Sequence, residues 1–259
     1  MSLVITTELV KELRDATGIS VMQCKRALEE AEGDMKKALA ILKKTSSDIA
    51  LKKADRQVKD GAVMIKTENN KSVLVSLYCE TDFVSKNEDF TSLLSNLTNI
   101  ALKDGIEKMK EVSRDMINPI IQKTGENIQL GEAYIVEGNV VGNYIHNHKS
   151  AVIVSLEGGN EELAKDIAMH ITAMKPEYIS QDEISEEDKK TMNEVFEKEV
   201  ANVDKPEDIK KKILEGKIAT YFKEKTLLSQ PFIKNADETI GKLLEKSKAK
   251  IKEVKRFSI

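Results

Sequence analysis

A chain of 259 residues can hold two domains or one large domain with insertions, which excludes a peptide hormone or a stapled miniprotein. Its 41 Lys and Arg nearly balance 44 Asp and Glu, leaving a net charge of -3, so its overall field does not favour nucleic acid or an anionic membrane as main partner. With 33% charged residues, 4% aromatics and no tryptophan, it reads as a soluble, helix-rich protein with few platforms on which bases could stack.

Residues 1–55 read as a three-helix module and its linker. Leu9, Val10 and Leu13 form an apolar stripe that Gly18 ends. Ser20-Val21-Met22-Gln23 has a capping spacing, with Val21, Cys24, Ala27, Leu28 and Ala31 on one face and Gly33 as the stop. Asp34 caps a third helix that turns Met35, Ala38, Leu39 and Leu42 inward. Such a bundle suits recognition better than catalysis. The polar stretch from Ser46 to Asp60 reads as a tether that could be helical.

Residues 56–150 form a first α+β subdomain. Ala62 to Thr67 and Ser72 to Cys79 flank Asn69-Asn70, which tolerate the conformation of a tight hairpin turn. In the second strand Val73, Val75, Leu77 and Cys79 share one face; Leu74, Ser76 and Tyr78 share the other. Thr81-Asp82-Phe83-Val84 marks the step from strand to helix, and the spacing Ser85 to Glu88 predicts the cap. Phe90, Leu93, Leu94, Leu97, Ile100 and Ala101 then recur with helical period. A phenylalanine in such a connection is either folded onto the core or held out for a partner to bury. Met109, Val112, Met116, Ile120 and Ile121 make a further helix, which Pro119 is expected to kink or split. Ile128 to Val136 reads as a strand that turns at Glu137-Gly138-Asn139.

Residues 151–184 and 227–259 read as a second subdomain, related to the first. Val140 to His146 and Ala151 to Leu156 predict another strand pair, followed by a helix carrying Leu163, Ile167, Ile171 and Met174 that Pro176 closes. Val73-Leu74-Val75-Ser76-Leu77 and Val152-Ile153-Val154-Ser155-Leu156 are nearly one pentapeptide used twice. The copies part at the next turn, where Gly158-Gly159-Asn160 replaces Thr81-Asp82-Phe83-Val84. That divergence favours a functional Phe83. Residues 185–226 read as an inserted, projecting helical hairpin with stripes of Met192, Val195, Phe196 and Val200, then Ile209, Ile213, Ile218 and Phe222. Pro231-Phe232-Ile233, a short helix with Ile240, Leu243 and Leu244, and an edge strand from Lys250 to Ile259 complete the chain.

The chemistry points to binding. There is no glycine-rich phosphate loop, nucleophile elbow or Cys-x-x-Cys pair. Glu80 and Asp82 lack an acid–base partner at a useful spacing. His146 and His148 alternate at a strand end, but zinc needs three or four convergent ligands and His170 stands in a helix without a spacing motif. No catalytic residue, metal or cofactor is expected. Cys24 and Cys79, each in an apolar pattern, make no disulfide framework and fit a reducing compartment. With no apolar leader and no stretch apolar enough to span a bilayer, a cytoplasmic location is expected.

Several spaced motifs carry a resemblance. Leu9-Val10-Lys11-Glu12-Leu13-Arg14, Thr17-Gly18, Met22 through Leu28, Thr81-Asp82-Phe83-Val84, Gly125-Glu126-Asn127-Ile128, Ala168-Met169-His170 and Gln230-Pro231-Phe232 together resemble the elongation factor Ts family over essentially the whole chain. The resemblance implies a ubiquitin-associated-like helical module, two related α+β subdomains and an inserted coiled-coil hairpin. It implies a guanine-nucleotide exchange factor that binds GDP-bound elongation factor Tu, displaces its magnesium and promotes GDP release. The implied contacts are Thr81, Asp82, Phe83 and Val84 near the magnesium, with Arg14, Val21, Met22, Lys25 and His146 as secondary contacts. Met22 and Val21 could equally pack the small bundle internally. The match departs at Gln23, where an aspartate is common, and at Phe257-Ser258-Ile259, beyond which longer members carry a further helical module. A chaperone-like or adaptor protein, binding partners through the helical module and the hairpin, is the alternative. A dimer is left open.

Overall fold

The computed structural model describes residues 5–203 and 205–259. Helices and antiparallel strands build two compact units, Met1–Val136 with Ile145–Ala151 and Phe257–Ile259, and Glu137–Tyr144 with Val152–Arg256. Among the described residues no helix is long and apolar enough to cross a membrane.

The first unit begins with α1 (Thr7–Thr17), α2 (Val21–Glu30) and α3 (Met35–Lys53). Thr6, Ser20 and Asp34 each accept from a first-turn amide, satisfying donors a helix start leaves unpaired. Leu13, Ile19, Cys24, Leu28, Ala38 and Leu42 fill the space between the helices. Val21 and Leu39, expected inside, are exposed. In α2 the packing covers only Cys24, Ala27 and Leu28, so Val21 falls outside it. The expected tether from Ser46 is helical as far as Lys53. Ile49 and Ala50 pack against the first core, Ser46 bonds the Gln122 side chain, and Asn118 Nδ2 donates to Ser47 Oγ at 3.1 Å.

β1 (Asp60–Glu68) and β2 (Lys71–Cys79) form the expected hairpin, in register from Asp60 opposite Cys79 to Glu68 opposite Lys71, with Asn69 at φ 51° in the turn. Val73, Val75, Leu77 and Cys79 all face one core. A single turn, α4 (Asp82–Ser85), precedes α5 (Glu88–Asp104) and α6 (Ile106–Thr124). The cap of α5 is Asn87, whose Oδ1 accepts from the Asp89 amide at 2.8 Å. Ser85 is instead buried and closes α4 by donating to the Asp82 carbonyl at 3.2 Å. Pro119 does not split α6. The helix packs on both α3 and α5, burying Met109, Ile117 and Ile121, and that packing offsets the roughly 3 kcal/mol an interior proline costs. β3 (Ile128–Glu137) completes a sheet of order β1-β2-β3.

β4 (Val140–His146) and β5 (Ser150–Glu157) start a second sheet, and α7 (Glu161–Met174) lays Ala164, Ile167, Ala168 and Ile171 into the second core. Met174, read as inward, is exposed where the helix ends before the left-handed Lys175. β2 and β5 each stand centrally in a three-stranded sheet and lead through a short turn to a helix. In α8 (Glu186–Ala201) and α9 (Glu207–Lys225), Phe196 meets Tyr221 at 5.7 Å and Glu199 pairs with Lys217 at 2.7 Å, so the helices run in opposite directions. Gly216 lies in exposed α9 with no atom within 4 Å of where a Cβ would stand. Gly216→Ala is therefore expected to stabilise the protein by about 0.5–1 kcal/mol in urea unfolding, since it removes backbone freedom only from the unfolded chain.

β6 (Pro231–Phe232) pairs with β7 (Asn235–Thr239), a strand that has no alternating apolar pattern to announce it. α10 (Ile240–Lys246) and β8 (Lys250–Ser258) follow, with β8 at the edge of the order β4-β5-β8. Two separated motifs meet here: the fully buried His170 ring bonds Gln230 Oε1 through Nε2 at 2.9 Å and accepts the Ile233 amide at Nδ1 at 3.3 Å. That arrangement needs a neutral ring protonated on Nε2. Burial lowers its pKa below the ordinary value near 6.5, and the Gln230 bond opposes this only in part. A depressed folded pKa means that the unfolded chain binds the proton more readily, so stability present above 6.5 is lost as pH falls through the folded value. Urea unfolding between pH 7.5 and about 5 should show that loss in the unmodified protein and not in His170→Asn.

Candidate functional site

β2 leaves the sheet at Cys79, and the next residues form an exposed turn anchored from one side. Val84 is 9% exposed and packs in the first core, while Phe83, one residue earlier on the single turn of α4, is 84% exposed. Successive helical residues point about 100° apart, so fixing Val84 inward drives Phe83 outward. Asp82 also faces water and pairs with Lys86 at 2.7 Å one turn on. That hydrogen bond and charge raise the Lys86 pKa, although both groups are too exposed for the pair to contribute much stability. Thr81 is half-buried.

Groups distant in sequence hold the turn. Glu126 Oε2 accepts the amides of Glu80 at 3.1 Å and Thr81 at 3.0 Å, and its Oε1 accepts the Thr81 hydroxyl at 2.6 Å. In return Glu80 Oε1 accepts the Asn127 amide at 2.6 Å, and Asn127 Nδ2 donates to the Ala54 and Arg56 carbonyls at 3.2 and 2.8 Å. Sequence reasoning gave these residues no task. Contacts across some 45 positions leave no periodic signal, and the hint was that Gly125-Glu126-Asn127-Ile128, at the left-handed stop of α6, is one of the motifs that carry the resemblance. Beneath the turn, Cys79 donates through Sγ to the Thr81 carbonyl at 3.1 Å. Burial above all pushes its thiol up to about 12, so it carries no thiolate reactivity at neutral pH.

The β4–β5 tip belongs to the same unit as this turn. Asn147 and His148 take left-handed conformations there, and the His148 carbonyl accepts the Val63 amide at 2.8 Å. Lys149 Nζ bonds Asp60 Oδ1 at 2.6 Å and the Gly61 carbonyl at 2.5 Å. Burial pushes the Asp60 carboxyl up, but hydrogen bonds from Lys149, Ser85 and the Gly61 amide outweigh it and hold the group below its usual range. Lys149 thus ties the tip to the start of β1, and His146 stands exposed at the end of β4. Among the described residues no three or more His, Cys, Asp or Glu side chains are placed to hold a metal ion.

On the helical module, Arg14 and Lys25 are exposed, Lys25 lying 3.8 Å from Glu29. Val21 and Met22 are 50% and 60% exposed, so neither is a packing residue of the bundle. This pair forms a second apolar surface in the same unit as Phe83.

Comparison with known proteins places these features in one family. The family model described as Elongation factor TS matches residues 80–259. The chain is 38% identical to a protein named Elongation factor Ts from Hahella chejuensis, covering 98% of this chain and 92% of that one. It is 36% identical to the Elongation factor Ts of Deinococcus deserti, covering 97% of this chain and 98% of the relative.

Proposed function

We infer the function from one premise: the chain belongs to the elongation factor Ts family. It is a guanine-nucleotide exchange factor for the translation GTPase elongation factor Tu, acting by binding and making no covalent bond. We propose that Asp82 and Phe83 are the working contacts, with Thr81 and Val84 setting their direction. The supporting observation is the ring of Phe83, 84% exposed on a turn whose next residue is locked in the core. An aromatic ring kept in water at a rigid turn gains by entering an apolar pocket. Entry beside the nucleotide site would dislodge the groups that hold magnesium there, and with the ion goes much of the charge neutralisation of the diphosphate. GDP then leaves. By linkage, the factor's weakening of GDP binding equals GDP's weakening of the factor's binding, so incoming nucleotide releases the factor.

Arg14, Val21, Met22, Lys25 and His146 are proposed as secondary contacts, supported by their exposure in the same unit as the turn. We also propose that residues 1–55 are a ubiquitin-associated-like module with its linker, and that 56–150, and 151–184 with 227–259, are the related subdomains. Residues 185–226 would be the inserted coiled-coil hairpin. The separate core of α1 to α3 and the opposed pairing of α8 and α9 support this division. A cytoplasmic site of action follows from the role in translation. No observation favours the adaptor alternative.

The test is release of a fluorescent GDP analogue from elongation factor Tu with and without this protein. Acceleration is expected. Release at the uncatalysed rate over the full titration overturns the reading.

A further inference from the structure

We propose that Glu126 is a positioning residue for nucleotide exchange, clamping the Glu80-Thr81 step so that α4 presents Asp82 and Phe83 at a fixed angle. This role rests on the exchange reading above and adds the group that sets the turn's direction. A strand leaving its sheet loses the carbonyls that paired its amides, and those of Glu80 and Thr81 could be satisfied by water in many orientations. One carboxylate takes both, at 3.1 and 3.0 Å, and the Thr81 hydroxyl at 2.6 Å. Hydrogen bonds to an ionised acceptor are about twice as strong as neutral ones.

The clamp has a visible consequence at the helix start. Thr81 is the N-cap residue of α4, yet its side chain makes no cap bond to the turn. The equivalent side chains of Thr6, Ser20, Asn160 and Thr239 all cap their helices. The Thr81 hydroxyl is committed to Glu126 instead, so α4 is oriented from outside. The return bond from the Asn127 amide to Glu80 Oε1, at 2.6 Å, ties the same two segments in the opposite sense and restricts rotation as well as separation. The Glu126 carboxylate bonds Glu80 and Thr81, so its effect passes through Thr81.

Glu126→Gln keeps the shape but removes the charge, so the two amide bonds become weaker neutral ones and the Thr81 hydroxyl has to accept from the carboxamide where it had donated. The experiment titrates intact factor against elongation factor Tu carrying fluorescent GDP, giving a maximal release rate and a half-saturating concentration, alongside amide hydrogen exchange of the free factor. With Glu126→Gln the maximal rate is expected to fall by about tenfold, as misplacement at a reacting site does. Exchange of the Glu80 and Thr81 amides should quicken by about tenfold while the amides of Val73 to Leu77 stay protected. Thr81→Val should cost less in the Glu126→Gln background than in the unmodified factor, where the hydroxyl bonds an ionised carboxylate.

Unchanged amide exchange overturns the clamp. Faster amide exchange with an unchanged maximal rate overturns its role in positioning. A rate loss that disappears once the folded fraction is corrected for assigns Glu126 to stability alone and also overturns the proposal. Should Glu126→Gln fail to fold, Thr81→Val removes only the hydroxyl arm, and a full maximal rate in that variant is the overturning result. If the unmodified factor leaves GDP release unchanged, the exchange reading itself fails, an outcome separate from any failure of Glu126.

Discussion

Phe83→Ala is expected to slow factor-catalysed GDP release by about 30-fold or more while the unfolding temperature stays within a degree or two of the unmodified protein. Truncating an aromatic anchor that fills a partner pocket costs at least about 2 kcal/mol, and each tenfold corresponds to about 1.4 kcal/mol. The stability side follows from burial: a ring 84% exposed in the free protein contributes little to its folding, and surface substitutions fall within about 0.5 kcal/mol. The two readouts must separate. A fall of several degrees would mean that the ring packs internally, and an unchanged release rate would place the working contact elsewhere. Val84 is the control on the same turn. Val84→Ala removes core volume and should cost about 2 kcal/mol of stability, with any effect on exchange following from the loosened turn.

The largest stability effect is expected at Gly142→Ala in β4. A Cβ there would stand 2.2 Å from the Lys165 amide nitrogen and 2.4 Å from the Ala164 carbonyl carbon. Those are backbone atoms of α7, so no side-chain rotation relieves the clash and the helix has to move off its sheet. Overpacking against side chains costs about 1–3 kcal/mol, and displacing α7 disturbs Ile167 and Ile171, both in the second core, so about 3 kcal/mol or more is expected. For a chain of this length that lowers the unfolding temperature by roughly 6–12 °C. Thermal unfolding measures it, and a shift under 2 °C would mean that α7 is free to slide. Gly216→Ala, with open space around it, should move the other way. The same substitution thus changes sign with what lies over the glycine.

Both positions bear on what sequence alone could establish. The two strand–turn–helix segments were legible because a nearly continuous apolar pentapeptide repeats, and such a short run is the local mark of a strand buried on both faces. The α1–α2–α3 module was legible from the Ser20 and Asp34 caps and from the stops at Gly18 and Gly33, which are equally local. Thr81 to Val84 stood out because the second copy has glycines there, although no periodicity told whether the ring pointed in or out.

Tertiary structure decided the rest, for one physical reason: the deciding partners lie far away along the chain and are mostly polar. The stretch after Ser46 became helix because Gln122 and Asn118 bond Ser46 and Ser47 and because Ile49 and Ala50 pack against the first core. Val21 and Met22 face water because packing within a three-helix bundle covers only part of each helix. The direction of Phe83 was settled by the burial of Val84 and by a carboxylate 45 residues away, since hydrophobic pattern records which residues avoid water but not which hydrogen bonds aim a turn.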